Sequence, residues 1–389
     1  MPPHVCFVGL GNLPVLAPEF GNHGAGGEEL QHTLLARALA RRGYRVSMIV
    51  GDYGQPDGAS WDGVTTHIAY DPAAGLPGLR FVHPRWIGLW SAARRADADI
   101  YYVSCAGMQV GELALFARRH GRRVVFRVAH DDDCVPHRLV ARLDAGGLRF
   151  WLHTSLYRYG LAHADAVLVQ SSRQHRLLKE HFGREATIAT MLVEPPRRVP
   201  DFAARDIDVL WVNNIRAFKR ADLAVDLAGM LDGLRMHMIG GAQPRFESLY
   251  ADIERRAAAL PHLTFHGPVP YHQVNGFYER ARVFVNTSDS EGFPNSYLQA
   301  WARGVPVVAF FDPDGVIARE GLGRAVRGLA EMQQAVRELA GNPAAWQAAS
   351  QRCRAFMARE YGEDRILAPY MSAFDEVAPR AARAPMMAR

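Results

Sequence analysis

VFVNTSDSEGFPNSYLQAWARGVPVVAF (Val283–Phe310) is the stretch on which the fold turns. It begins and ends in short runs rich in valine and phenylalanine, with a polar loop and a segment of helical spacing between them. Strand, helix and strand in that order make a parallel βαβ unit: a parallel pair needs a crossover, and crossover helices cover the sheet on both faces. The loop delivers Glu291 at the carboxyl end of its strand, and Gly292-Phe293-Pro294 makes a turn. Asn295 or Ser296 is then placed to cap the following helix.

The same alternation runs through the rest of the chain. In the first half, strands are expected at 5–10, 45–50, 99–104, 123–128 and 165–171. A helix over 27–42 gathers Leu30, Leu34, Leu35, Ala38 and Leu39 on one face. The stretch VEPPRRVPDFAARDID (193–208) has prolines and charges but no period, which reads as a linker. Strands resume at 208–213, 235–240, 263–267, 283–288 and 306–310. The expectation is an α/β protein of two Rossmann-like, doubly wound domains facing across a cleft. The boundaries expected are 1–195, a linker at 196–207, a second domain at 208–377 and a flexible basic tail at 378–389.

A chain of 389 residues is long for one core, which agrees with two domains. Forty-five basic against forty acidic residues give a net charge of +5, without the dense basic stripe that marks a nucleic-acid binder. Cys6, Cys105, Cys134 and Cys353 are too scattered for a zinc site or a disulfide framework. No apolar run reaches the ~18 residues of a membrane span, and the N-terminus lacks a signal-peptide pattern, so a cytoplasmic protein is expected.

Ligands of open α/β sheets bind beyond the carboxyl ends of the strands, and three such stretches carry chemistry. Gly26-Gly27 opens the first helix, where residues without Cβ let amide groups approach a phosphate; a glycine-capped flexible loop is the bland alternative. Arg216 and Lys219 follow the strand at 208–213, and cations there suit a diphosphate whose charge grows as a bond breaks. Solvated surface charge is the alternative, and it fits Arg220 better than Lys219. The third stretch is the opening one. A carboxylate from Glu291, the turn at 292–294 and the helix start at Asn295 and Ser296 suit a polyhydroxylated ligand. Gln299 falls on the same helical face as Ser296.

TSDSEGFPNSYLQAWARGVPVVAF closely resembles the donor-site motif of the retaining glycosyltransferases of family 4, whose fold, GT-B, pairs two Rossmann-like domains. GAGGEELQHTLLARALARRGYRVSMIV resembles that family's N-terminal Gly-Gly-x-Glu segment. VLWVNNIRAFKRADLAVDLA is similar to its phosphate segment, and FHGPV (265–269) to its nucleotide-base loop. The resemblance implies that a nucleoside-diphosphate sugar is bound mainly by the C-terminal domain, with no cofactor and no bound metal. Glu291 would contact the sugar, the backbone of Gly292, Phe293, Pro294 and Asn295 its hydroxyls, Lys219 the diphosphate, and Ser296 a phosphate. Gln299 stands where the family carries a second acid that contacts the ribose; its carbonyl oxygen can accept a hydroxyl without the charge. Asn214 stands where the family often has arginine, so Arg216 would supply that charge from two positions on. His130 matches the family's active-site histidine; a loop histidine capping nearby backbone is the alternative. Asp131, Asp132 and Asp133 invite a metal site, but three consecutive acids cannot all face one ion, and a surface turn fits them better.

Two aromatic-basic stretches, 80–95 and 148–160, suit either core helices with arginines outward or contact with a membrane. The expected activity is transfer of a sugar from a nucleotide donor to a glycan, lipid-linked glycan or small acceptor, with glycan or lipid-linked acceptor as partner and peripheral membrane contact through the N-terminal domain. A nucleotide-sugar epimerase of the same architecture and a carbohydrate-binding protein without catalysis are the rivals. Lys219 and the glycine turn at 26–27 argue against the second.

Overall fold

The computed structural model of the chain describes residues 2–21, 26–76, 79–136, 147–243 and 245–378. The expected basic tail lies, from residue 379 on, outside the described residues. Contacts divide the chain into two units, Met1–Phe20 with Glu28–Thr190 and Ile366–Arg389, and Gly21–Gly27 with Met191–Arg365.

The first unit is built on a sheet of β1 (Val5–Val8), β2 (Val46–Val50), β3 (Ser60–Trp61), β4 (Val64–Ile68), β5 (Ile100–Ser104), β6 (Arg123–Arg127), β7 (Ala166–Val169) and β8 (Thr187–Ile188). Their order is β3-β4-β2-β1-β5-β6-β7-β8, parallel except for the β3–β4 pair at one edge. β1, β2 and β5 are buried at every residue, the mark of a sheet covered on both faces. Helices Met108–His120 and Gly147–His163 pack closely through two glycines. A Cβ at Gly111 would lie 2.2 Å from the Leu156 carbonyl oxygen, and one at Gly160 2.5 Å from the Val110 carbonyl carbon. The helix Ser172–Phe182 is capped by the Ser171 hydroxyl, which accepts from Gln174 N, and stopped by Gly183 at φ 62°.

The second unit carries β9 (Ile207–Val212), β10 (Met236–Ile239), β11 (Leu263–Phe265), β12 (Ala281–Asn286), β13 (Val307–Ala309) and β14 (Gly323–Ala325) in the order β11-β10-β9-β12-β13-β14, all parallel. The chain runs from β9 outward to β11 and then returns to place β12 on the other side of β9. The crevice between the carboxyl ends of β9 and β12 is therefore a topological switch point, where this kind of sheet binds ligands. Trp211 and Trp301 are fully buried in the two cores flanking that sheet.

Two boundaries differ from the sequence reading. Within the helix Glu363–Val377, residues from Ile366 on group with the first unit. There Tyr370 donates to the Thr190 carbonyl at 2.9 Å, and Phe374 meets the Tyr102 ring edge-on. The stretch read as a linker is anchored in the second unit. Arg205, 1% exposed, donates to the carbonyls of Pro200, Tyr278, Ala281 and Arg303. Burial lowers its guanidinium to about 10, and four carbonyls satisfy the donors that burial would otherwise strand.

Candidate active site

Lys219 and Glu291 meet at the switch point of the second sheet. Lys219 closes the short turn Ala217–Lys219 after β9, and Glu291 lies in the loop after β12. Lys219 Nζ is 2.5 Å from Glu291 Oε1, and the side chains are 16% and 8% exposed. The two loops are tied together beneath them. Thr287 Oγ1 accepts from the Trp211 indole at 3.0 Å and lies 3.0 and 2.8 Å from the carbonyl oxygens of Lys219 and Arg220. Asp289 N donates to the Phe218 carbonyl at 2.9 Å. A cation and a carboxylate are thus held, partly shielded from water, on a base of buried hydrogen bonds.

The neighbouring cations divide as their partners dictate. Arg220 is engaged by Asp222 and Asp289, a structural role. Arg216 Nη2 donates to Gln243 Oε1 at 3.0 Å, which places its guanidinium beside the loop after β10. In the FHGPV segment, His266 Nε2 lies 2.9 Å from His237 Nδ1, and burial holds His237 down near 4.

Gly292, Phe293 and Pro294 form the expected turn and the helix Asn295–Ala302 follows, but its cap position falls on Pro294, not on Asn295 or Ser296. Proline has no side-chain acceptor, so no side chain caps this end. Asn295 Nδ2 instead donates to the Gly27 carbonyl at 2.9 Å, both residues belonging to the second unit. A Cβ on Gly27 would lie 2.5 Å from that nitrogen. The bare backbone at Gly27 leaves room for that asparagine, and Gly26 before it is half-buried. Ser296 occupies the first turn, half-buried, and Gln299 is 8% exposed.

In the first unit His130 caps the turn Asp131–Cys134: its Nδ1 accepts from Asp132 N at 3.1 Å, and its own N–H donates to Asp133 Oδ2 at 3.0 Å. A ring accepting through Nδ1 carries its proton on Nε2 when neutral, which makes Nε2 a donor. The three carboxylates go to separate tasks. Asp131 pairs with Arg173 at 2.8 Å, Asp132 lies 3.3 Å from His130 Nδ1, and Asp133 caps the backbone.

Sequence reading missed two polar networks. One joins Asn12, His32, Ser104 and Glu28: His32 Nδ1 is 3.1 Å from Asn12 Nδ2, and Ser104 Oγ is 2.9 Å from both His32 Nε2 and Glu28 Oε1. Burial, then the Glu29 charge, pushes Glu28 up to about 7, and burial drops His32 to about 3. The other joins Gln299, Asn275, Tyr271 and Glu194. Its only sequence signal is an acid among prolines, in a stretch that reads as linker.

The aromatic-basic stretch 80–95 is half core and half surface. Trp90 meets Phe116 edge-on at 5.1 Å, while Val82 and Ile87 are 53% and 51% exposed. Leu76 and Leu79, just before it, are 70% and 66% exposed. In 148–160, Tyr157 is buried and Trp151 is 62% exposed.

The chain matches the family profile "Glycosyl transferase 4-like domain" over residues 26–193 and "Glycosyl transferases group 1" over residues 207–342. A D-inositol 3-phosphate glycosyltransferase of Geodermatophilus obscurus is 25% identical over 253 residues, 58% of this chain and 56% of that protein. The chain therefore aligns with little more than half of that relative's length. Among solved structures, sucrose-phosphate synthase of Thermosynechococcus elongatus superposes with a TM-score of 0.71 at 15% identity, over 96% of this chain and 99% of that one. Anabaena Alr3699/HepE, crystallised with UDP and glucose, gives 0.68 at 12% identity over 96% and 100%. WaaG, a glycosyltransferase involved in lipopolysaccharide biosynthesis, gives 0.65 at 15% over 95% and 98%.

Proposed function

The chain belongs to the glycosyltransferases of the family-4 type, with the GT-B fold, and from that premise we propose that it is a retaining, metal-independent enzyme of the cytoplasm. It transfers a sugar from a nucleoside diphosphate to a hydroxyl of a glycan, a lipid-linked glycan or a small acceptor, in polysaccharide or glycoconjugate synthesis. The observation that carries this reading is the Lys219–Glu291 pair at the switch point. Glu291 takes the sugar hydroxyls, the backbone from Gly292 to Asn295 and Ser296 grip the remaining polar groups, and Gln299 takes the ribose. Lys219, with Arg216, takes the diphosphate, and Gly26 and Gly27 complete the donor side. His130 matches the family's active-site histidine, with Nε2–H as its donor.

The bond between the anomeric carbon and the diphosphate oxygen breaks, and the acceptor oxygen bonds to the same face of that carbon. The acceptor's proton passes to the departing phosphate oxygen, whose growing charge Lys219 and Arg216 stabilise. One geometric fact supports this route: the carboxylate that we assign to the sugar is already hydrogen-bonded to Lys219. Incubation with UDP-glucose, UDP-N-acetylglucosamine, GDP-mannose and ADP-glucose, with and without glycan acceptors and with EDTA throughout, tests the reading. Acceptor-dependent release of nucleoside diphosphate and an α-configured product by NMR are expected. Conversion of the sugar without acceptor would mean an epimerase, and binding without release a carbohydrate-binding protein. Restoration by a divalent ion of activity lost to EDTA would overturn metal independence.

The exposed apolar residues at 76–87 support peripheral contact with a membrane, where a lipid-linked acceptor would lie.

A further inference from the structure

We propose that Glu194, acting through Asn275, is a positioning residue that turns the Gln299 amide so that its carbonyl oxygen faces the donor ribose. The proposal rests on the reading of Gln299 as the ribose contact and adds what lets a neutral amide do the work of an acid.

The argument is one of hydrogen-bond polarity. An amide side chain has a donor end and an acceptor end, and which end faces a partner is fixed by the partner's own chemistry. Glu194 Oε2 lies 2.7 Å from Asn275 Nδ2 and also accepts from the Tyr271 hydroxyl at 3.0 Å. A carboxylate only accepts, so Asn275 must show it the NH2 end. The Asn275 oxygen then faces the other way, 3.4 Å from Gln299 Nε2. An oxygen accepts, so Gln299 must in turn show its NH2 end to Asn275, and its Oε1 points elsewhere. One carboxylate thereby sets the direction of two amides. Tyr271, whose hydroxyl burial and then Glu194 hold above the usual range, stays a donor and does not disturb the order. Gln299 is held from the backbone side as well, since Arg303 Nη1 donates to its carbonyl at 3.2 Å.

Without such a relay a glutamine at 299 would present either end to the ribose, and half of its orientations would set NH2 where a hydroxyl proton needs an acceptor. The relay also means that the acid the family carries at this position does not suit this chain. A carboxylate introduced there would face the Asn275 oxygen, because Glu194 already claims the NH2 end. An acid at one end of the relay suits an amide at the other.

The test is a double-mutant cycle of Glu194→Gln, Gln299→Glu and the two together, with donor KM and kcat measured for whichever panel sugar the wild type uses. Each single variant should raise donor KM about threefold to tenfold, the worth of one neutral hydrogen bond, with kcat within twofold. The double variant, in which the glutamine introduced at 194 donates to the Asn275 oxygen, should return to within twofold of wild-type KM. Calorimetry with UDP and 2′,3′-dideoxy-UDP supplies a second readout, using GDP, ADP or their dideoxy forms if the donor carries that base. Glu194→Gln should weaken the ribonucleotide and leave the dideoxy form, which lacks the diol, unchanged. Additive losses in the double variant, a fall in kcat without change in KM, or equal weakening of both nucleotides would overturn the relay and leave Glu194 a linker anchor. If no panel sugar binds the wild type, the donor reading itself fails, and the relay with it.

Discussion

A buried ion pair at a strand end is ambiguous until one asks what each charge does when the other is removed. Lys219 and Glu291 are within hydrogen-bonding distance and mostly covered, so deleting one partner outright would leave an uncompensated buried charge, at ~3–5 kcal/mol in stability. Glu291→Gln keeps the shape and a hydrogen-bond acceptor, and separates chemistry from folding. If Glu291 contacts the sugar in the transition state, kcat should fall on the order of a hundredfold to a thousandfold. Donor KM should not rise, because Lys219 loses its neutralising partner and attracts the diphosphate more strongly. Steady-state kinetics beside a thermal melt decide it: a lowered melting temperature with unchanged kcat would make the pair purely structural. Glu112 gives a second single-residue test, on stability. It is 2% exposed in the helix Met108–His120, and burial alone pushes it up to about 9. A carboxyl that keeps its proton when folded and loses it when unfolded makes folding bind a proton. Stability is therefore whole below about pH 4.5 and falls as pH rises toward 9. Between pH 7 and 8 the slope from this group approaches about 1.4 kcal/mol per pH unit. Glu28, raised to about 7, is half titrated at pH 7 and adds a smaller slope that is common to wild type and variant, and the histidines His4, His32 and His237 are already neutral. Urea denaturation at pH 7 and 8 should show that loss in the wild type and a flatter profile in Glu112→Gln; equal slopes would show that Glu112 does not hold its proton.

At the scale of elements, what was legible in the chain was what periodicity writes. Each of the ten strands read from apolar runs is present, because strands buried on both faces leave unbroken β-branched and aromatic stretches. Four described strands escaped notice: Ser60–Trp61, Thr187–Ile188 and Gly323–Ala325 are edge strands of two or three residues, too few to show a period, and in Val64–Ile68, which is longer and not at an edge, Thr65, Thr66 and His67 break the apolar run. Lys219 and Glu291 could be singled out because strand ends are where such folds bind ligands, a rule that needs only the strand boundaries. Three features obeyed no local rule. Pro294 takes the cap position because the turn's geometry, not a capping side chain, sets where the helix begins. Gly27 accommodates Asn295, a neighbour 268 residues away in sequence, and no spacing rule reaches that far. Glu194 lies among prolines and shows its use only when folding brings Asn275 beside it. Local patterns thus located the elements and the loops, while the partners of each loop side chain were set by packing.

At the scale of the molecule, the surface is uneven in a way that neither core explains. Among the described residues seven large hydrophobic side chains are exposed, and four of them, Leu76, Leu79, Val82 and Ile87, fall within one stretch of the first unit. Beside them a recess of about 710 Å³ is lined by Trp86, Ile87, Trp90, Ser91, Arg94 and Arg95. Scattered apolar residues need no account, but a run of them bordered by arginines does. No described helix is long and apolar enough to cross a membrane. Apolar side chains flanked by Arg80, Arg85 and Arg94 fit the surface of an anionic bilayer, where the apolar groups enter the headgroup boundary and each nearby cation adds about 1 kcal/mol. Co-sedimentation with phosphatidylglycerol vesicles should therefore exceed that with phosphatidylcholine vesicles, and should weaken as salt is raised. Leu79→Asp with Val82→Asp, both exposed and outside the assigned site, should abolish it without lowering turnover on a soluble acceptor. Equal partition to both vesicle types would assign the attraction to the apolar groups alone. No sedimentation, with a dimer that the same substitutions dissociate, would give this face to a second copy of the chain. A soluble monomer with neither behaviour would leave the apolar run to the acceptor, and the membrane reading would be wrong.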